Sequence, residues 1–229
     1  LQPVMTGYVD RLAKGVAEVA PMASLGINQS SGGLMSPVRA QAVPVRTALS
    51  GPAAGAMGAG AVARRAGYPD VITLDMGGTS ADVALIRNAE PALAFQRNVA
   101  GFPIRLPMVD IDTVGAGGGS IAWFDLDGLM KVGPQSAGAV PGPACYGQGG
   151  TEPTVSDANL ALGRLSPKGL LGGGMALDEG LARKALEPIA GKLGMSSEQV
   201  AQGIIDIAVA NMVRSIRTIS VEKGHDLSL

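Results

Sequence analysis

Residues 71–86 read VITLDMGGTSADVALI, two aliphatic, β-branched runs on either side of a Gly-Gly-Thr-Ser loop. Asp75 closes the first run and Asp82 sits just inside the second. The composition predicts a strand over 71–75, a second over 81–86, and a hairpin joining them. The loop admits two readings. It is a plain hairpin bend with Asp75 or Asp82 capping the turn, or it is a phosphate cradle. In the second reading backbone N–H groups and two hydroxyls converge on one concavity. Asp75, at the end of a buried strand, then holds a divalent metal directly or through water.

Upstream, Pro3 to Val19 has helical spacing through Val4, Tyr8, Leu12 and Val16, and MASLGI at 22–27 reads as a strand running into NQSSGG. VPVRTAL at 43–49 reads as another strand. SGPAAGAMGAGAVARRAG at 50–67 reads as a helix, with Ser50 as N-cap, Pro52 in the first turn and Gly67 as C-cap. Built of Ala, Gly, Met and Val, it is suited to packing very close to its neighbour. Downstream, PALAFQRNV at 91–99 offers a third strand and a β-meander. A further hairpin, SIAWFD and LMKV, turns at Asp127-Gly128. The glycine-rich loops up to residue 174 contain a short helix after Ser156 or Asp157. An apolar stripe from Leu177 to Leu193 predicts a helix kinked or broken late by Pro188. Ser196 and Gln199 have the spacing of a capping box for a last helix running through Ile219.

Composition narrows the partners. The 229 residues suffice for a stable core. The 18 basic and 19 acidic side chains show no basic stripe, which excludes nucleic acid as an expected partner. One cysteine and one histidine exclude a disulfide framework and a Cys/His zinc site, and point to a reducing, cytoplasmic setting. No uninterrupted apolar run reaches membrane-span length and no signal-peptide order opens the chain, so no membrane is expected. The first residue is Leu1, and the chain reads as a piece of something longer. Its 34 glycines, about twice average usage, predict glycine-built loops.

Gly191-Lys192 is followed by Leu193, so there is no Walker A loop. A dinucleotide-binding unit over 43–75 is a weighed alternative, weakened because Gly58 and Gly60 fall inside the predicted helix instead of at its start. Cys145 in PGPACYG reads as structural, since a nucleophile there needs an activating base. His225 reads as a surface or loop residue.

Several long motifs carry a resemblance: QSSGG at 29–33, TALSGPAAG at 47–55, DMGGTSADV at 75–83, DTVGAGGGSIAWFD at 112–125, VGPQSAGAVPGPACYGQGG at 132–150 and TVSDANLALGRL at 154–165. The order SGPAAGAMGA, a spacer, then DMGGTSADVALI resembles the second phosphate loop and connecting helix of the actin, heat-shock ATPase and sugar-kinase superfamily. Within it the chain resembles the hydantoinase A and 5-oxoprolinase family, which includes ketone carboxylase subunits.

The resemblance implies an α/β, RNase H-like ATPase lobe with a mixed sheet flanked by helices. One lobe would span 1–229: a connecting segment and glycine-rich helix (1–70), a phosphate-loop meander with glycine-rich loops (71–174), and C-terminal helices (175–229). It implies an ATP-dependent hydrolase subunit that phosphorylates a cyclic amide carbonyl for ring opening, with a ketone carboxylase subunit and a non-catalytic scaffold lobe as alternatives. The implied cofactors are ATP and Mg²⁺ or another divalent metal. The implied partners are a B-type subunit, the remaining portions of its own subunit, and a small cyclic amide or ketone. Gly77, Gly78, Thr79 and Ser80 would hold phosphate, with Gly117, Gly118 and Gly119 as a second ligand-facing loop. Asp75 and Asp82 would serve catalysis, and Asp75 and Asp112 the metal, with Asp157 a further metal candidate whose place at a helix start also reads as a cap. The family's Asp-Ile-Gly-Gly-Thr and Gly-Gly-Ala-Gly-Pro stretches do not occur here, so the isolated chain is expected to be inactive. Asp112 stands where many relatives have His, and Ser31 where Asn is more usual.

Overall fold

A computed structural model describes residues 2–99, 101–168 and 174–226. Contacts divide the chain into two units, residues 1–73 with 83–111 and residues 74–82 with 112–229. The chain is mixed α/β, as expected. Among the described residues no helix is long and apolar enough to cross a membrane.

The first unit starts with helix α1 (Gln2–Val19). Its expected apolar stripe does not face the core: Val4 and Tyr8 are exposed, and Val9 is the buried residue, packed with Met35 and Ala40. MASLGI contributes only its end to a strand, β1 (Ile27–Asn28), which pairs antiparallel with β2 (Leu34–Met35). Helix α2 (Pro37–Ala42) is capped by Ser36. The strand expected at 43–49 is instead a 3-10 turn, Pro44–Thr47. Proline's fixed φ favours the turn, and the Thr47 hydroxyl locks it by donating to the Pro44 carbonyl at 2.7 Å. Helix α3 (Ser50–Arg65) begins one residue earlier than expected, with Leu49 in the left-handed conformation as its N-cap. Gly60 is buried on α3, and a Cβ there would stand 3.4 Å from the Ile86 side chain, so the close packing read from composition occurs at that point.

The hairpin that decides the fold is present: β3 (Val71–Met76) and β4 (Ala81–Arg87) are neighbours in a sheet ordered β10 (Ile111–Val114), β4, β3, with β5 (Glu90–Pro91) also on β4. A four-residue connection between bonded strands requires antiparallel pairing. β4 is almost wholly buried, whereas β3 runs from half-buried to exposed, so Asp75 does not end a buried strand. The 91–99 strand is broken into β5, β6 (Leu93–Ala94) and β7 (Arg97–Val99). β6 pairs with β9 (Met108–Val109), and β7 pairs with β8 (Phe102–Ile104). The first unit's core joins Ala53 and Ala56 of α3 to Ala84, Ile86, Val109 and Ile111. With a 3-10 turn at 43–49 and no helix starting at Thr79, the dinucleotide reading fails.

The second unit holds the hairpin β11 (Ser120–Phe124) and β12 (Met130–Ser136), closed by the Trp123 indole donating to the Gly133 carbonyl at 2.7 Å. Behind it lie α4 (Val155–Ala161), α5 (Glu179–Leu193) and α6 (Ser197–Ile219). Ala122, Val132, Val155, Leu186, Ile189 and Ile204 are among the residues of their shared core. The Ser196/Gln199 capping box opens α6 as expected. Pro188 does not break α5. It lies on the exposed face with Lys184, where the hydrogen bond that proline cannot make is least costly, while Ala185, Leu186 and Ile189 hold the other face in the core.

Candidate functional site

All four candidate carboxylates and both glycine loops lie in the second unit. The Gly77–Ser80 loop is closed by the Gly77 N–H donating to the Ser80 carbonyl at 2.9 Å. The GAGGGS loop, residues 115–120, is stacked against it backbone on backbone. Gly118 N–H donates to the Gly77 carbonyl at 2.9 Å, and Gly119 N–H to the Gly78 carbonyl at 2.6 Å. A Cβ at Gly117 would stand 2.7 Å from backbone atoms of Gly78, Thr79 and Ser80, so only glycine permits this approach.

This stacking determines what each loop can present. In a trans peptide the C=O and N–H point in opposite directions. Anchoring the Gly77 and Gly78 carbonyls on the GAGGGS loop therefore aims the N–H groups of Gly78 and Thr79 the other way, on an exposed turn. Those two N–H groups and the Thr79 and Ser80 hydroxyls have no hydrogen-bond partner among the described residues. The chemistry is that of an oxyanion cradle.

The second loop differs from expectation. Gly117 N–H donates to the Ser120 hydroxyl at 2.9 Å, so the N–H groups of Gly117, Gly118 and Gly119 are all engaged inside the protein. The Gly118 carbonyl accepts from Ser156 N–H at 2.7 Å and the Gly119 carbonyl from Ala137 N–H at 2.9 Å, which ties the loop to α4 and to the end of β12. These glycines brace the first loop; they have no free donors for a ligand.

The carboxylates separate by partner. Asp75 is exposed and has no partner among the described residues. Asp82 accepts from the Thr113 hydroxyl at 2.5 Å, and Asp112 from the Ser215 hydroxyl of α6 at 2.5 Å. Asp157 is fully buried at the third position of α4, in a capping box with Thr154. Its carboxylate accepts from Thr154 N–H (2.9 Å), the Thr154 hydroxyl (2.7 Å), Cys145 N–H (2.8 Å) and Ala144 N–H (3.3 Å). That is a structural hub, with three donors on Oδ2 and one on Oδ1. Among the described residues no three His, Cys, Asp or Glu side chains stand together as a metal cluster, so the expected set Asp75, Asp112 and Asp157 does not assemble. Cys145 is buried, and burial, reinforced by the Asp157 charge, pushes its thiol far above the ordinary range, which makes it inert as a nucleophile. The partners Thr113 and Ser215 escaped the sequence reading. Thr113 adjoins Asp112 in DIDT, but nothing in the sequence links Ser215, 103 residues away, to Asp112.

The arrangement defines an α/β protein with a braced hairpin loop whose donors face outward. A family model described as Hydantoinase/oxoprolinase matches residues 1–229, and the chain belongs to that family. It is 43% identical over 227 residues to the caprolactamase subunit alpha of Pseudomonas jessenii, covering 99% of this chain and 33% of that subunit. The crystal structure of the ATP-dependent caprolactamase from Pseudomonas jessenii superposes with a TM-score of 0.82 at 43% identity, over 99% of this chain and 33% of that one. A nucleotide-free structure of acetone carboxylase, described for ATP-dependent acetone carboxylation, matches with a TM-score of 0.84 at 32% identity, over 95% of this chain and 31% of that one. The chain thus spans a third of the length of the curated relative it matches. These likenesses agree with the actin-like ATPase fold expected for the family.

Proposed function

We propose that this chain provides a phosphate-binding loop of an ATP-dependent hydrolase subunit that opens a cyclic amide. The observation that carries the reading is the anchoring of the Gly77 and Gly78 carbonyls on Gly118 and Gly119, which leaves an outward-facing donor set. That donor set fits phosphate oxygens. Asp75, the one of the four candidate carboxylates with no partner among the described residues, fits a Mg²⁺ that keeps most of its waters and is shared with phosphate. Bound there, ATP would transfer its γ-phosphoryl group to the substrate's carbonyl oxygen with release of ADP, making the carbonyl carbon electrophilic enough for water to add and for the ring C–N bond to break, the nitrogen taking a proton.

The chain's own residues contribute position and charge. Gly78 and Thr79 N–H groups, with the Thr79 and Ser80 hydroxyls, hold negative charge without reorganising, because the loop beneath them is already fixed. Asp82, held by Thr113, secures the far end of the loop. The family model and the caprolactamase likeness support the amide reading. The acetone carboxylase likeness supports a second reading, a ketone carboxylase subunit using the same loop. Because that caprolactamase relative is itself a subunit alpha, a partner subunit belongs to the proposal, and the single cysteine adds a reducing, cytoplasmic setting.

The test is Asp75→Asn in the complete subunit that carries these residues. Steady-state ATP hydrolysis is expected to fall about 100-fold or more, the scale for losing a charge-stabilising group, with an unchanged melting temperature. Unaltered ATP turnover refutes the assignment.

A further inference from the structure

The second unit contains a cleft of about 640 Å³ between the β11–β12 hairpin and α6. That volume is in the range of small-molecule sites, and no residue of the Gly77–Ser80 loop lines the cleft. Its two walls are fastened to each other. Asn211 of α6 donates its Nδ2–H to the Val132 carbonyl of β12 at 3.3 Å. On the buried side of the same helix, Met212 packs with Ala81 and Ala116, and Ser215 is bonded to Asp112. The cleft is therefore a fixed feature of the unit.

One wall is aromatic. Trp123 points to the side of the hairpin opposite its neighbours Ala122 and Phe124, which join the core. Its indole N–H is spent on the Gly133 carbonyl at 2.7 Å, which sets the ring plane and leaves a half-buried ring lining the cleft. Lys131, directly across the hairpin from Trp123, pairs with Asp125 at 3.4 Å, so these two charges offset each other. On the α6 wall Arg214 is exposed and makes no ion pair or side-chain hydrogen bond among the described residues. Of the charged side chains lining the cleft, Asp125, Lys131 and Arg214, it is the one left uncompensated. A guanidinium fork takes carboxylate or phosphate oxygens in pairs, and a fixed indole face takes a flat ring. Met130 and Ile207 add apolar lining, which suits a ring and not a polar chain.

We propose that this cleft binds a planar aromatic anion, with its ring on Trp123 and its carboxylate or phosphate on Arg214. The site lies within one unit and does not rest on the hydrolase reading.

Trp123 is the only tryptophan of the chain, so its fluorescence reports on the cleft. The 229-residue chain is titrated with benzoate and adenosine monophosphate, with their uncharged counterparts benzamide and adenosine, and with inorganic phosphate. Saturable quenching by benzoate or adenosine monophosphate, at least tenfold weaker with the uncharged rings and with phosphate alone, is the expected result. The tighter of the two identifies the anion as carboxylate or phosphate. Arg214→Gln is expected to weaken the ring anions at least tenfold and to leave the uncharged rings unchanged. No quenching by either ring anion, equal quenching by the uncharged rings, or anion binding that survives Arg214→Gln overturns the site. Should that variant fail to fold, the comparison of charged with uncharged rings on the original chain decides alone. ATP turnover is not the readout, so failure here leaves the phosphate loop standing, and an active Asp75→Asn variant leaves this site standing.

Discussion

Replacing Gly117 by Ala tests the stacked loops at their tightest point. The added Cβ would lie 2.7 Å from Gly78 C, Thr79 C and Ser80 N. Carbon atoms rest at roughly 3.5–4.0 Å, so the loops must part by about 1 Å. That movement stretches the Gly118–Gly77 and Gly119–Gly78 hydrogen bonds, now 2.9 and 2.6 Å, toward the limit of useful bonding. Overpacking, two weakened bonds and the small gain from a less flexible unfolded chain combine to a loss of about 2–4 kcal/mol. At roughly 2–4 °C per kcal/mol the melting temperature falls by about 5–15 °C. The control is Gly78→Ala, one contact away: no atom lies within 4 Å of its added Cβ, and its φ is not in the left-handed range. It is expected to change stability by less than about 0.5 kcal/mol. Urea denaturation followed by circular dichroism measures both, and equal midpoints for the two variants refute the stacking.

Two further outcomes are expected. Asp157→Ala strips the acceptor from four buried donors and lowers stability by about 3–5 kcal/mol in the same assay, whereas a loss below about 1 kcal/mol would return Asp157 to the metal candidates. The Cys145 thiol, raised from an ordinary 9.0 chiefly by burial, stays protonated in the folded chain at pH values where the unfolded chain has lost that proton. Stability therefore falls as pH rises above the unfolded value, and iodoacetamide labels the native chain at pH 8 only as fast as it unfolds. Rapid labelling of native protein contradicts the buried position.

The elements legible in the sequence were those whose signals are local. The hairpin at 71–86 is set by β-branched runs around a short polar loop, and the α6 start by a three-residue capping spacing. The strand expected at 43–49 failed because Pro44 and a threonine hydroxyl close a turn more cheaply than an isolated strand finds a partner. The stripe of α1 failed because periodicity specifies an apolar face but not what covers it. Glycine was the least legible residue of all. Gly78 and Gly117 look alike in sequence, yet one leaves its N–H free on an exposed turn and the other is required by the backbone 2.7 Å away.

The carboxylates show the same limit in sharper form. Asp75, Asp82, Asp112 and Asp157 are chemically equivalent as letters, and a metal needs the ones whose lone pairs are free. What distinguishes them lies elsewhere in the chain: Thr113 is 31 residues from Asp82, Ser215 is 103 from Asp112, and Cys145 is 12 from Asp157. Local spacing identifies only the Thr154–Asp157 capping box, which is itself a reason to expect a structural carboxylate there. Of the four, Asp75 is the exposed one with no hydrogen-bond partner among the described residues, and it adjoins the loop that turns the Gly78 and Thr79 N–H groups outward. A single carboxylate does not hold a divalent cation tightly without phosphate oxygens and waters to complete its shell. On the proposed reading, metal and nucleotide would therefore bind this loop together, each weakly without the other.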